Sequence, residues 1–426
     1  MSAVSEAVLA QYYRNLTPKV EELPIGLDVS VDLYPPELYP ESPVDVLLRG
    51  INWNGRKSAQ LFSGFRGTGK STALRQLKAR LESQDAYVLL IDALEFINPT
   101  TPIDVSDFML VVAGAFGEAC GYSESFWTKA MGLFQRLNLT GLELGEGVKL
   151  QVALRTDPTF RGKFHQLMAG HITALVQEAQ LYVEGVLAQL RKGDPNRQVV
   201  LIIDSLEQLR GTSANANQVA ESVESLFVGF ANQLHFQNLH VIYSVPPWLR
   251  VKSPGIRRLY DGYEQLPCVP VRTPSRETQP IALDLMEQVL AKRGNWQAVL
   301  GGDRGLIDQL ALASGGYLRD LLQLMRSTLG NLRNGRLGPK EAVQLAVDQL
   351  RDHYAGATLT DLRLLGVVRQ TGDINAAADQ GIDRLGSLFD QMLILNYVQH
   401  AGVRHEWYDV HPAILPKVEA LARAQA

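Results

Sequence analysis

Cysteine is scarce in this chain: only Cys120 and Cys268 occur among 426 residues, and no C-x-x-C pair is present. We therefore expect neither a disulfide framework nor a zinc site. Long hydrophobic runs are also absent, because the longest apolar stretch, Phe108 to Phe116, is much shorter than the ~20 residues that a membrane span needs. The sequence begins without the basic and apolar regions of a signal peptide. A cytoplasmic protein with no membrane partner is expected.

An excess of charge of either sign is lacking as well. The formal net charge is −4, which gives no overall indication of nucleic-acid binding. An apolar share of 46% with 20% charged residues is typical of a globular protein that buries a sizeable core. A chain of 426 residues is too long to fold around a single core of this kind, so we expect about two to four domains.

The clearest positive feature is a motif of the form G-x-x-x-x-G-K-[ST] at residues 64–71. Its glycines let the backbone curl so that N–H groups point at phosphates, while Lys70 reaches the β- and γ-phosphates and the Ser71 hydroxyl ligates Mg²⁺. A buried strand at Ala59–Ser63 precedes it, and a helix from Ser71 to Leu81 follows with its positive end toward the phosphates. The residues expected to bind a nucleoside triphosphate are Gly64, Phe65, Arg66, Gly67, Thr68, Gly69, Lys70, Ser71 and Thr72.

Three further segments read as strands that are apolar on both faces: Val88–Asp92, Val199–Asp204 and His240–Ser244. Helical patterns separate them. Strands of this kind occur in parallel sheets that lie between layers of helices. The sequence therefore predicts an α/β phosphate-loop NTPase fold with helices on both faces of a parallel sheet.

The region between the second and third of these strands, at about 100–195, is far longer than a single crossover helix requires. From Phe160 to Leu190, apolar residues recur every three or four positions, which predicts one helix of ~30 residues that is ~45 Å long. Two interpretations remain open and equal: an inserted helical subdomain or arm, or helices that pack on the sheet.

The pattern becomes wholly helical after Pro267–Pro270, which is a possible last strand and linker. An all-α lid of four amphipathic helices is predicted at Ile281–Lys292, Leu306–Ala313, Tyr317–Leu329 and Lys340–His353. Two or three short helices and a β-hairpin then predict a C-terminal winged-helix domain. The predicted boundaries are a leader at 1–50, a core at 51–275 that contains the insertion, a lid at 276–354 and the winged helix at 355–426.

A phosphate loop needs an acidic partner for Mg²⁺ at the end of a nearby strand, and both Asp92 and Asp204 qualify. We favour Asp204, which comes one strand later, because a further strand ending in the polar Ser244 follows it. Ser71 and Asp204 are thus the expected metal ligands. The guanine motif Asn-Lys-x-Asp does not occur, so the expected cofactors are ATP and Mg²⁺.

The order of these motifs resembles that of the AAA+ ATPases. The phosphate loop, Asp204 and Ser244 are followed by a helical region with Ser-Gly-Gly-Tyr-Leu-Arg-Asp-Leu at 314–321. The resemblance is strongest to origin-recognition-type and signalling (STAND) ATPases, which also end in a winged helix, and it covers about residues 40–420. The long insertion departs from the family pattern.

This resemblance implies roles for individual residues. Ser244 takes the sensor-1 position near the γ-phosphate, and Arg319 takes the sensor-2 position, from which a lid guanidinium contacts the phosphates. Arg258, with its neighbour Arg257, stands where relatives carry an arginine finger for an adjacent subunit. Plain surface charge is an equal alternative for either arginine, and a solvated position on the helix is the alternative for Arg319.

One position departs from the pattern of AAA+ motors. Many of them carry a glutamate directly after the metal-binding aspartate, but here Ser205 follows Asp204 and the nearest carboxylate is Glu207. Glu207 is either the catalytic base or a residue at a helix start favoured by the helix dipole. We expect slow hydrolysis, as suits a switch.

The C-terminal region from residue 355 has six basic and eight acidic residues, a net charge of −2, whereas DNA-binding faces need cations. We therefore expect an ATP-binding, slowly hydrolysing switch that couples nucleotide state to assembly or partner binding. Its expected partners are further copies of itself and a separate effector protein, in bacterial defence or signalling by the resemblance. The alternative is a DNA-binding AAA+ ATPase of the replication-initiation or transposition-regulator type. A scaffold that binds ATP without hydrolysing it is a third possibility.

Overall fold

The structure is a computed structural model of the chain. It describes residues 5–17, 23, 27–122, 125–137, 150–212, 214–333, 335–378, 381–400 and 404–425. Parts of the predicted leader and of the predicted insertion, notably residues 138–149, lie outside this description.

The strands form one large sheet and one hairpin. Their bounds are β1 (Ser58–Gly64), β2 (Tyr87–Asp92), β3 (Val199–Asp204), β4 (His240–Val245), β5 (Gly262–Leu266), β6 (Ile394–His400) and β7 (Arg404–Val410). The large sheet has the strand order β2-β3-β4-β1-β5, and β1 to β4 run parallel. Strand β4 therefore lies between β1, which leads into the phosphate loop, and β3, which ends at Asp204.

The helices account for most of the remaining described residues. They are α1 (Glu6–Asn15), α2 (Pro43–Trp53), α3 (Lys70–Glu82), α4 (Val105–Ala119), α5 (Phe126–Arg136), α6 (Leu150–Thr156), α7 (Pro158–Met168), α8 (Ile172–Leu190), α9 (Ala216–Glu224), α10 (Trp248–Lys252), α11 (Pro280–Ala291), α12 (Trp296–Leu300), α13 (Arg304–Ser314), α14 (Leu318–Leu332), α15 (Pro339–His353), α16 (Leu359–Thr371), α17 (Asn375–Ala378), α18 (Ile382–Asp390) and α19 (Leu415–Gln425). None of the helices in these described ranges is long and apolar enough to cross a membrane.

The centre of the large sheet is covered on both faces. Every residue of β1, β3 and β4 is buried, as their apolar composition predicts for strands that lie between two layers. The predicted fold class, an α/β phosphate-loop fold followed by a helical region and a helix-and-hairpin C-terminal region, is confirmed.

The single long helix predicted over Phe160–Leu190 is wrong. Helix α7 ends at Met168, and α8 begins at Ile172 after an interruption that contains Gly170. The apolar spacing continues in phase across this interruption, so periodicity did not reveal it, whereas a glycine disfavours helix by about 1 kcal/mol relative to alanine.

Within the described part of the insertion, helix α4 packs on the sheet. The Phe108 ring of α4 lies 5.9 Å from the Tyr243 ring of β4. Helix α4 in turn packs against α5 and α8. This close packing requires glycine, because a Cβ on Gly114 would lie 2.3 Å from the Trp127 ring. The helices α5 and α8 thus form a layer on α4, and the choice between an inserted subdomain or arm and helices that pack on the sheet stays open.

The chain divides into two compact units. The sheet unit comprises Pro43–Gly64 and Lys70–Gln265, and the helical unit comprises Met1–Ser42, Phe65–Gly69 and Leu266–Ala426. Within the helical unit, α1 packs on the lid helices, since the Tyr12 hydroxyl donates to the Leu290 carbonyl at 2.9 Å. The domain boundaries themselves stay a prediction.

The helices predicted for the lid are present in the helical unit as α11, α13, α14 and α15, with the short α12 in addition. Residues 267–270 form no strand, but their backbone is bonded on two sides. The Cys268 N–H donates to the Asn396 carbonyl of β6 at 2.9 Å, and the Val269 N–H donates to the Gly316 carbonyl at 3.2 Å. A Cβ on Gly316, whose φ is +74°, would lie 1.8 Å from the Val269 carbonyl oxygen, so only glycine fits there.

Candidate nucleotide-binding site

The phosphate loop joins the end of β1, at Gly64, to the start of α3, at Lys70. Gly67 and Gly69 have φ values of +88° and +99°, a region that favours glycine. The Thr68 side chain closes the turn, because its hydroxyl donates to the Phe65 carbonyl at 2.8 Å. The loop thus has the curled shape in which a helix N-terminus presents N–H groups to an anion.

Lys70 is buried in the sheet unit, and its ammonium contacts buried oxygen atoms. Its ammonium donates to the Gly64 carbonyl at 2.8 Å and lies 3.1 Å from Oε1 of Glu207. The Lys70 and Glu207 side chains are only 3% and 7% exposed. A charge pair this well shielded from water interacts much more strongly than one at the surface.

Asp204 and Ser71, the two predicted metal ligands, lie beside each other. The Ser71 hydroxyl is hydrogen-bonded to the Asp204 carboxylate, which also accepts from the Ser205 N–H at 2.8 Å. Burial raises the pKa of Asp204, and the nearby charge of Glu207 raises it further. A cation beside this carboxylate would offset both effects, and the hydroxyl and carboxylate oxygens are donors that suit Mg²⁺.

The alternative aspartate occupies a different environment. Asp92 lies opposite Asp204 in the strand register, but its strand β2 is at the edge of the sheet. The Asp92 side chain is exposed and accepts a hydrogen bond from the Leu94 N–H at 3.0 Å. It caps a short turn, while Asp204 contacts the phosphate-loop serine.

Ser244 fixes Glu207 from the neighbouring strand. The Ser244 hydroxyl donates to Oε2 of Glu207 at 2.9 Å and accepts from the Leu206 N–H at 3.0 Å. The two carboxylate oxygens of Glu207 therefore have different partners, Lys70 on one side and Ser244 on the other. Glu207 does lie in a short helical turn, Leu206–Gln208, but its side chain belongs to the cluster around Lys70.

The tip of the loop, Phe65–Gly69, contacts a very different set of side chains in the helical unit. The Phe65 ring is stacked on the Phe389 ring of α18, with centroids 5.6 Å apart, and both rings are almost completely buried. The buried Tyr317 donates its hydroxyl hydrogen to the Arg66 carbonyl. Burial also raises the pKa of Tyr317, so this hydroxyl remains a donor at any physiological pH.

Arg319, the predicted sensor-2 residue, lies against the loop glycine. A Cβ on Gly67 would be 2.7 Å from Nε of Arg319. That Nε is buried and has no hydrogen-bond acceptor among the described residues. A buried guanidinium N–H beside a phosphate loop is well suited to an anionic oxygen.

The predicted arginine-finger residues lie at the end of the short turn Pro254–Arg258. Arg257 and Arg258 are both exposed, and the Arg257 guanidinium lies 5.4 Å from the centre of the Tyr263 ring. The role of Arg258 stays a prediction.

Sequence reasoning did not identify Tyr317 and Phe389 as contacts of the loop. Tyr317 directly follows the glycine pair in the Ser-Gly-Gly-Tyr-Leu-Arg-Asp-Leu segment, which is a local signal for a residue near the site. Phe389 is one apolar residue of an amphipathic helix and gives no such signal, because it lies 324 positions after Phe65 in the chain.

Similarity to known proteins is found among solved structures. No protein-family profile and no curated protein sequence matches the chain. Similar solved structures include the Aeropyrum pernix ORC2 protein in its ADPNP-ADP complexes, with 12% identity, a TM-score of 0.40 and coverage of 93% of this chain and 97% of that one. Its ADP form has 11% identity, a TM-score of 0.39 and the same coverage. Cdc6p from Pyrobaculum aerophilum has 14% identity and a TM-score of 0.34, with coverage of 90% and 93%.

Proposed function

We propose that this protein is a Mg²⁺-dependent ATPase whose nucleotide state controls its C-terminal region. The observation that carries the proposal is the grouping of Lys70, Ser71 and Asp204, in which a buried ammonium stands at the phosphate loop and two oxygen donors suit Mg²⁺. Lys70 and the loop N–H groups would hold the phosphates, and Ser71 and Asp204 would hold the metal. When bound, Mg²⁺ supplies neutralisation of the negative charge that develops on the phosphates.

The contacts of the loop tip support the switching part of the proposal. Phe65 is stacked on Phe389, and the Arg66 carbonyl is held by Tyr317. Because Gly69 is followed directly by Lys70 in the chain, a change in the backbone of the tip reaches the phosphate-binding lysine covalently. A nucleotide that favours one loop conformation would therefore favour one arrangement of α14 and α18 over another. Assembly with further copies or binding of an effector protein would be the readout, in defence or signalling by the family resemblance.

DNA binding is the second candidate function. The helices and hairpin of the C-terminal region have the order of a winged helix, and the names of the similar structures agree with this candidate better than with a role in defence. The charges of the C-terminal region argue against DNA binding. Arg384, the arginine of α18, donates to both oxygens of Asp361, at 2.5 Å and 2.7 Å, so its charge is already paired within the protein. A shift of labelled duplex DNA that requires ATP and weakens with salt would favour this candidate over the protein-partner switch.

Replacement of the lysine tests the core of the proposal. Lys70→Ala should reduce ATP affinity by at least about a hundredfold, because it removes the charge that binds the phosphates, and a lost pairing of this kind costs about 3 kcal/mol or more. Isothermal titration calorimetry with Mg·ATP measures the change. Lys78→Ala is the matched control, since Lys78 lies on the same helix but pairs with Glu82 at the surface. Equal ATP affinity of Lys70→Ala and the wild type would refute the site.

A further inference from the structure

We propose that Glu207 competes with nucleotide for Lys70 and that Ser244 lowers the cost of its displacement. This inference rests on the proposed function, since it concerns the same lysine. Glu207 thus helps to set the nucleotide affinity, in addition to any part in hydrolysis. Ser244 is a positioning residue for Glu207.

The competition follows from the buried ion pair. Lys70 and Glu207 are 3.1 Å apart and almost fully shielded from water. Lys70 must exchange the carboxylate for phosphate oxygens when it binds nucleotide, so the attraction of the pair opposes binding. The negative charge of Glu207 also repels an anion that approaches the loop.

The role of Ser244 follows from the second oxygen of the carboxylate. A buried carboxylate that loses its cation is costly unless other donors remain. The Ser244 hydroxyl keeps its hydrogen bond to Oε2, at 2.9 Å, when Lys70 turns to another anion. The Leu206 N–H holds the hydroxyl oxygen at 3.0 Å, so this hydroxyl is already oriented toward Glu207.

The arrangement predicts effects of opposite sign for two neighbouring residues. Glu207→Gln removes the competing charge but keeps the shape of the side chain, so ADP should bind at least about tenfold more tightly, the equivalent of 1.4 kcal/mol. Ser244→Ala leaves the charge but removes its remaining donor, so ADP should bind about three- to tenfold more weakly. The double variant should bind ADP as Glu207→Gln does, because Ser244 acts through the carboxylate.

The experiment is calorimetric titration of the full-length protein and its variants with Mg·ADP, and with inorganic pyrophosphate as a probe for the phosphate-binding part alone. ADP lacks the γ-phosphate, so a change in the hydrolysis rate does not affect the measurement. Pyrophosphate should gain the same factor as ADP in Glu207→Gln. Glu224→Gln is the matched control, because Glu224 belongs to the same unit but pairs with Lys252 at 3.2 Å. Its ADP affinity should equal that of the wild type.

The affinities of the variants separate failure of the competition from failure of the proposed function. If Glu207→Gln binds ADP no more tightly than the wild type, the competition is refuted, whereas failure of the wild type to bind any nucleotide refutes the proposed function instead. If Ser244→Ala weakens ADP binding equally in the presence and absence of the Glu207 charge, Ser244 contacts the ligand directly and its positioning role is wrong. Should Glu207→Gln fail to fold, as shown by its thermal transition, a Ser244→Ala variant that binds ADP as tightly as the wild type would still refute the proposal.

Discussion

The two ends of the phosphate loop meet contrasting surroundings. Around Lys70 the sheet unit provides charges and hydroxyls, with Glu207 and Ser244 in one hydrogen-bonded cluster. Around Phe65 the helical unit provides buried rings and one tyrosine hydroxyl. The polar end can distinguish ligands by charge. The aromatic end contributes shape, and under the proposed function its contacts would transmit a change in loop conformation to α14 and α18.

The largest effect should arise at the polar end, from Asp204→Ala. The variant loses the carboxylate beside Ser71, and hydrolysis should fall about a hundredfold to a thousandfold, the range observed when one electrostatic group of a transition state is removed. Phosphate release measures it. Asp92→Ala is the control, because Asp92 is the partner of Asp204 in the strand register but caps an exposed turn. Equal loss in both variants would contradict the assignment of Asp204.

A smaller effect on function is expected from Phe389→Ala at the aromatic end. Loss of the ring removes the stack on Phe65, so the loop is less firmly held and ATP affinity should fall about tenfold, while the free energy of unfolding falls by about 3–5 kcal/mol. Phe164→Ala is the control for stability alone, since Phe164 is fully buried in the sheet unit among the helices of the insertion. Calorimetry and thermal unfolding measure both quantities. If the two variants lose affinity equally, the stack has no specific connection with the nucleotide.

Tyr317→Phe sharpens the comparison further because it removes one hydroxyl and leaves the ring in place. The Arg66 carbonyl loses its donor, and a lost hydrogen bond of about 1 kcal/mol predicts about fivefold weaker ATP binding. Tyr354→Phe serves as the control, because its hydroxyl donates to Asp320 of the same unit at 2.8 Å rather than to the loop. Unchanged affinity in Tyr317→Phe would show that the bond does not shape the loop.

A change of pH should have the smallest effect on nucleotide binding. It should instead lower the stability of the two units, each in a different range of pH. Burial lowers the pKa of His240, in the sheet unit, from 6.5 to about 4, so the unfolded chain binds a proton that the folded chain does not. Stability is therefore lost as pH falls from about 6.5 toward 4. In the helical unit, hydrogen bonds from Arg384 lower the pKa of Asp361 from 3.8 to about 2, and that stability is lost only as pH falls from about 4 toward 2.

Thermal unfolding at pH 7, 5 and 3 tests these ranges. The difference between pH 7 and pH 5 should shrink in His240→Gln and persist in Asp361→Asn. The opposite pattern would mean that the first acid-sensitive step belongs to the C-terminal region.

The polar end was largely predictable because its signals are local. Lys70 and Ser71 belong to a motif whose residue spacing is set by the requirements of phosphate binding. Asp204 ends a strand that is visible in the sequence as an apolar run. The strand order then brings Ser244 beside Glu207, a contact that no sequence pattern predicts.

The aromatic end was not predictable for a physical reason. A buried ring can fill any matching apolar space, so the sequence of α18 indicates that Phe389 is buried but does not indicate what it contacts. The break between Met168 and Ile172 illustrates the same limit, because an apolar stripe reports which side of a helix is buried and not where the helix stops.

The short segment after β5 has a mechanical consequence. Cys268 and Val269 are bonded to the hairpin strand β6 and to Gly316, two residues before α14 begins. A rotation of α14 that starts at Tyr317 would therefore pull on the Val269 peptide group, which adjoins the Cys268 peptide group bonded to the hairpin. Movement at the start of α14 would thus reach strand β6 through two adjacent peptide groups.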